Sequence, residues 1–107
     1  MTAIKPHNPT NRSWLTLTDE IDLANAADYL GVAREMIAEC RTDPCFIIDL
    51  STVTFMDSTA LGMLVDVRKA ASHAGMELRL AGIPWCVNRL LQITGLDDHL
   101  GIGEPGP

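Results

Sequence analysis

Asp57, Ser58 and Thr59 stand together, a carboxylate followed by two hydroxyls, and lead directly into an apolar-periodic run. Asp and Ser are preferred where a helix begins, because their oxygens accept from N–H groups that have no intrahelical partner. Two kinds of chemistry fit such a cluster. In the first, Asp57 caps the helix and nothing further happens. In the second, Ser58 is a phosphate acceptor: the helix dipole and free N–H groups would favour an anion there, so the domain could carry it folded. The phosphate would add about −1.5 to −2 charges beside Asp57. A partner surface fitted to a neutral hydroxyl would then meet repulsion and an unmet desolvation cost.

Other reactive constellations are missing from the sequence. It contains no GxSxG elbow, phosphate-cradling glycine loop, HExxH or GxGxxG pattern. His7, His73 and His99 have no Cys or Ser neighbour at an informative spacing, so each reads as a surface residue. Asp97-Asp98-His99 reads as a solvated turn, since contiguous residues rarely converge on one ion. Asp19, Glu20 and Asp49 invite comparison with a phospho-acceptor aspartate site. The βα units are too few for that, and no Lys follows the segment at 77–81 to neutralise an acyl phosphate. Asp49 is expected to bond its own corner, where Ser51 and Thr52 offer N–H groups. Cys40, Cys45 and Cys86 form no CxxC pair and suit neither a disulfide framework nor a zinc site. Cys40 and Cys45 bracket a turn and are expected as half-buried thiols, with pairing under oxidation as the alternative. Binding without catalysis, metal or cofactor is the expectation.

The elements that must position Ser58 follow from periodicity. A chain of 107 residues fits one domain, with residues 1–12 read as a flexible leader and 13–107 as the domain. The leader has two prolines and no apolar h-region, so it is not a signal peptide. No stretch approaches the roughly 18 apolar residues of a membrane span. The formal net charge of −6 opposes binding to a phosphate backbone. A cytoplasmic protein with neither nucleic acid nor membrane as partner is expected.

Ser13 to Thr18 alternates, with Leu15 and Leu17 on one face, and predicts a strand. An acidic connection, Asp19–Asp22, follows it. Ala26, Leu30, Ala33, Ile37 and Cys40 then mark a helix with Asn25 as N-cap, ended before Pro44. Phe46-Ile47-Ile48 predicts a strand covered on both faces. Asp49–Thr52 reads as a polar corner and Val53–Met56 as a short link. A second helix is expected from Ser58 to Ala74, with Ala60, Leu64, Val67, Ala71 and Ala74 buried and Gly75 just past its end. Residues 77–81 alternate as another strand. A third helix begins with Pro84 in its first turn, buries Val87, Leu90, Leu91 and Thr94, and ends at Gly95. Leu100–Ile102 is a candidate final strand. Alternating strands and helices predict an α/β layer fold with largely parallel strands.

On these residues the chain resembles the STAS-domain anti-sigma factor antagonists of bacteria. The similarity spans Ser13 to Ile102. Asp19-Glu20-Ile21-Asp22 is like the family's G-E-L-D, and Ile48-Asp49-Leu50-Ser51 is followed by Val53 as in the family. Phe55-Met56-Asp57-Ser58-Thr59-Ala60-Leu61-Gly62 is similar to F-[IM]-D-S-[ST]-G-L-G, and Asn88-Arg89-Leu90-Leu91 with Thr94-Gly95-Leu96 also fits. The resemblance implies a STAS-like single domain, with a mixed, mostly parallel sheet of about four to five strands packed against helices.

It further implies partner switching in transcription regulation, as in bacterial stress responses. The unphosphorylated antagonist binds an anti-sigma factor that is itself a serine kinase of the GHKL type, and a sigma factor is freed. Phosphorylation of Ser58 releases the antagonist, and a phosphatase resets it; ATP belongs to the kinase. The partner-binding residues carried over are Asp22, Asn25, Met56, Asp57, Ser58, Thr59, Ala60 and Gly62. Asp19 and Ala60 stand where the family usually has Gly, and the chain stops soon after Ile102, where many relatives add a helix. The alternative is a STAS accessory subunit that binds the ATPase of an ABC-type lipid transport system. A redox regulator using Cys40 and Cys45 is a third expectation.

Overall fold

The computed structural model describes residues 6–8 and 11–95, with side chains from Ser13 onward. Pro6–Asn8 forms a short strand, β1, and Asn11–Ile21 a long one, β2; the two pair antiparallel. The reading of 1–12 as an irregular leader did not include this pairing. A proline is tolerated there because β1 is at the sheet edge. The chain continues through α1 (Ala26–Glu39), β3 (Cys45–Met56), α2 (Ser58–His73), β4 (Glu77–Ala81) and α3 (Trp85–Thr94).

The sheet has the order β1-β2-β3-β4, with β2, β3 and β4 parallel, a mixed α/β sheet of four strands as expected. The candidate strand at Leu100–Ile102 lies outside the described residues. Leu15 pairs in register with Ile48, Ile48 with Leu80, and Phe46 with Leu78, so these side chains share one face. Leu15, Leu17, Phe46 and Ile48 are buried. Two successive β-α-β crossovers put α1 and α2 over that face, where they pack on each other. Each such Leu, Ile or Phe contributes about 1.5–3 kcal/mol by leaving water. The buried Ser13 hydroxyl donates to the Asp43 carboxylate, tying the start of β2 to the turn before β3.

The polar segment Asp49–Thr52 is a corner in the sequence reading but part of one continuous twelve-residue strand in the structure. Its extra length is taken up in bulges. Thr16 pairs with Asp49 and Thr18 with Thr52; Asp19 pairs with Val53 and Glu20 with Phe55. At each step β3 advances one residue more than β2, which breaks the two-residue alternation of side chains. Leu50, Val53 and Met56 are therefore all buried, a three-residue spacing that a regular strand cannot bury, while Thr54 and Phe55 face outward. Asp49 Oδ1 accepts from the Ser51 N–H at 2.9 Å, the local bond expected of it. Gly82 sits against this bulge with φ +63°, where a Cβ would come 2.7 Å from Ser51 Cβ, so only glycine fits.

The helices keep the expected order with shifted faces. α1 buries Ala26, Tyr29, Ala33, Met36 and Ile37, and Leu30 is only half-buried, because the stripe turns toward Tyr29 and Met36. α2 buries Ala60, Leu61, Met63, Leu64, Val67 and Ala71 and touches β3, β4 and α1, which is why its apolar face is wide. Ala74 is half-buried beyond its end. Pro84 precedes α3 as its N-cap rather than joining the first turn. Val87 and Leu91 are buried and Leu90 half-buried, whereas Thr94 is exposed. The Thr94 hydroxyl donates to the Leu90 carbonyl at 2.9 Å, which satisfies it without burial. Cys40 is buried, Cys45 half-buried and Cys86 exposed, all as free thiols.

Candidate functional site

β2 and β3 end side by side, with Ile21 paired to Met56. The Asp57 N–H donates to the Ile21 carbonyl at 3.2 Å, so the chain leaves β3 anchored to its neighbour. Asp57 then has extended backbone (φ −98°, ψ −177°) and caps α2: its Oδ1 accepts from the Ala60 N–H at 2.9 Å. Its second oxygen, Oδ2, accepts from the Leu23 N–H at 3.2 Å. One carboxylate thus holds the first turn of α2 and the loop after β2 together.

That loop is fixed by further bonds. The Asp22 N–H donates to Asn25 Oδ1 at 2.9 Å, and Asp22 Oδ1 accepts from the Ala24 N–H at 3.0 Å. Asn25 Nδ2 donates to the Glu20 carbonyl at 2.8 Å. Asn25 does precede α1, but its side chain makes no cap bond; it turns back to tie the loop to β2. Asp19, at the start of this segment, has φ +61°, the one non-glycine residue with positive φ among the described residues. Asp tolerates this conformation better than most side chains, and a glycine would take it with no Cβ cost.

Ser58 and Thr59 are exposed on the first turn of α2, and Asp57 beside them is half-buried. Their N–H groups precede the first intrahelical bonds of α2. Asp22 and Asn25 are half-buried across the Asp57 bridge, and Gly62 is exposed one turn further along α2. Asp19, Glu20, Asp22 and Asp57 give this end of the sheet several carboxylates.

Two of the carried-over contact residues have buried side chains. Met56 is 3% exposed and Ala60 0%; the burial of Ala60 was expected from the α2 stripe, that of Met56 was not. The bulge turns Met56 inward, and Ala60 begins the core-facing stripe of α2. Ala60 also sits within the helix, not at positive φ, so its methyl group suits the position. Sequence reasoning missed Leu23 and Phe55, which are exposed beside Asp57. The signal for Leu23 was an apolar residue directly after a run of acidic ones. For Phe55 there was none, since its direction depends on the bulge.

With this geometry in place, comparison with known proteins identifies the class. A model of the STAS domain family matches residues 3–104. The chain belongs to the STAS domain family. It is similar to the anti-sigma-B factor antagonist of Staphylococcus aureus, with 39% identity over 85 residues, covering 79% of this chain and 77% of that protein. The anti-sigma-B factor antagonist of Staphylococcus epidermidis is 37% identical over 57 residues, 53% of each chain. Among solved structures, an anti-sigma factor antagonist from Mycobacterium paratuberculosis superposes with TM-score 0.73 at 21% identity, covering 95% of this chain and 83% of that one. The anti-sigma factor antagonist SpoIIAA in its unphosphorylated form gives TM-score 0.64 at 15% identity, covering 94% and 100%. At these identities the structural likeness establishes the fold. Among the described residues no helix is long and apolar enough to cross a membrane.

Proposed function

We propose that this chain is an anti-sigma factor antagonist, a cytoplasmic binding protein rather than an enzyme, switched by phosphorylation of Ser58. The unphosphorylated form binds an anti-sigma factor that is a serine kinase of the GHKL type, and the sigma factor is released. The observation that carries this reading is the exposed Ser58 hydroxyl on a helix N-terminus held in place by Asp57. The names of the Staphylococcus relatives support the antagonist part of this reading.

The switch is electrostatic. The kinase transfers the γ-phosphoryl group of its ATP to Ser58 Oγ; the Oγ–P bond forms, the bond to the β-phosphate oxygen breaks, and the hydroxyl proton leaves to a base on the kinase. The product dianion gains from the helix dipole and the first-turn N–H groups, so the domain stays folded. It also sits beside Asp57, and a partner that had desolvated a neutral hydroxyl now faces a charge. Hydrolysis by a phosphatase restores the hydroxyl. Met56 and Ala60 act from the core, while Asp22, Asn25, Asp57, Ser58, Thr59 and Gly62 form the contact region.

The test is phosphate incorporation from ATP with the purified anti-sigma kinase, read by intact mass and peptide mapping. Ser58→Ala should take up no phosphate and still bind; Ser58→Glu should bind weakly. Phosphate persisting on Ser58→Ala, or wild-type affinity in Ser58→Glu, would overturn the assignment.

A further inference from the structure

Four large apolar side chains stand exposed among the described residues: Leu23 (76%), Phe55 (50%), Trp85 (74%) and Ile93 (71%). Trp85 and Ile93 lie on α3, and the Trp85 ring already carries the Arg89 guanidinium 5.6 Å from its centroid. Leu23 and Phe55 differ in lying on the two segments joined at Asp57, the residue before Ser58. The Leu23 N–H is bound by Asp57 Oδ2, and Phe55 lies on β3 just before Asp57, paired in register with Glu20.

Their exposure is imposed by the fold. Leu23 sits at the tip of a loop pinned by Asp22, Asn25 and Asp57, and Phe55 is turned outward by the bulge that buries Met56. A backbone already fixed by hydrogen bonds or strand pairing loses little further freedom on binding, which favours the side chains it carries as contact anchors. Anchors of this kind also exclude water from the polar groups they surround.

We propose that Leu23 and Phe55 are the apolar anchors of the partner surface around Ser58, entering an apolar recess on the anti-sigma factor. The inference rests on the reading of Ser58 as the regulated contact, and it deepens that reading. The two side chains supply much of the affinity and dry the interface, so that a charge placed on Ser58 meets its full desolvation cost.

Affinity for the purified anti-sigma factor of the same organism, measured by calorimetry, tests this. Leu23→Ala and Phe55→Ala should each weaken binding on the order of tenfold or more, as truncation of an interface anchor does. Ile93→Ala, equally exposed but on α3, should stay within about twofold. The loss caused by Ser58→Glu should shrink when Leu23→Ala is already present, because the interface is then wetter. Thermal melts report whether Phe55→Ala keeps its fold; if it does not, Leu23→Ala alone decides. Wild-type affinity in Leu23→Ala, with Ser58→Glu still weakened, overturns the anchors and leaves the Ser58 reading intact. No binding by the wild-type chain overturns both.

Discussion

The Leu23 N–H lies 3.2 Å from Asp57 Oδ2, joining two segments 34 residues apart in the chain. The other oxygen of the same carboxylate caps α2 at Ala60. Asp57 therefore couples the loop after β2 to the turn that presents Ser58, a second role beside the cap expected of it. Removing it affects both ends of the bridge.

Asp57→Ala should destabilise the domain by about 1–2 kcal/mol, the cost of a lost cap with a second bond removed. That corresponds to a fall of about 4–8 °C in melting temperature per kcal/mol for a domain of this size. Amide exchange at Leu23 should also accelerate. Asp57→Asn, with a single acceptor oxygen, should fall between the two proteins. An unchanged Leu23 exchange rate in Asp57→Ala would refute the bridge.

Asp19 holds φ +61°, a conformation that costs a non-glycine residue on the order of 1 kcal/mol. Asp19→Gly should raise the melting temperature despite the greater flexibility of glycine in the unfolded chain, because the native strain is the larger effect. A lower midpoint would show that the Asp19 side chain contributes more than its backbone costs.

Gly82→Ala should destabilise by about 2 kcal/mol or more, since it combines a strained φ with overpacking against β3. The new Cβ would meet Ser51 Cβ at 2.7 Å. Ser51→Gly in the same chain should restore part of the loss, by relieving the clash and leaving the φ penalty. No restoration in the double variant, measured by denaturant unfolding, would place the cost elsewhere.

Much of the fold was legible because its punctuation is local. Gly75 and Gly95 mark the ends of α2 and α3, and Ser13–Thr18 alternates as a half-buried strand must. β3 was not legible in the same way. Its bulges exist only in relation to β2, and the sequence of Asp49–Met56 carries no sign of where the registers slip. The site suffered for the same reason. Ser58 and Asp57 were readable as a capped turn and Ala60 as part of the buried stripe of α2, whereas the inward turn of Met56 depends on the bulge. Neighbours along a strand or helix point in different directions, and only the packed structure says which. Asn25 shows a subtler miss: the position before α1 was right and the hydrogen-bond partners were not.

The graded burial of the three thiols has a practical consequence. Cys86 is exposed, Cys45 half-buried, and Cys40, just past the end of α1, is 2% exposed. A thiol-specific reagent should label them in that order, with Cys40 reacting only when the packing of α1 opens. The chain thus carries its own clock for opening events at the far end of α1, readable by mass without any engineered reporter.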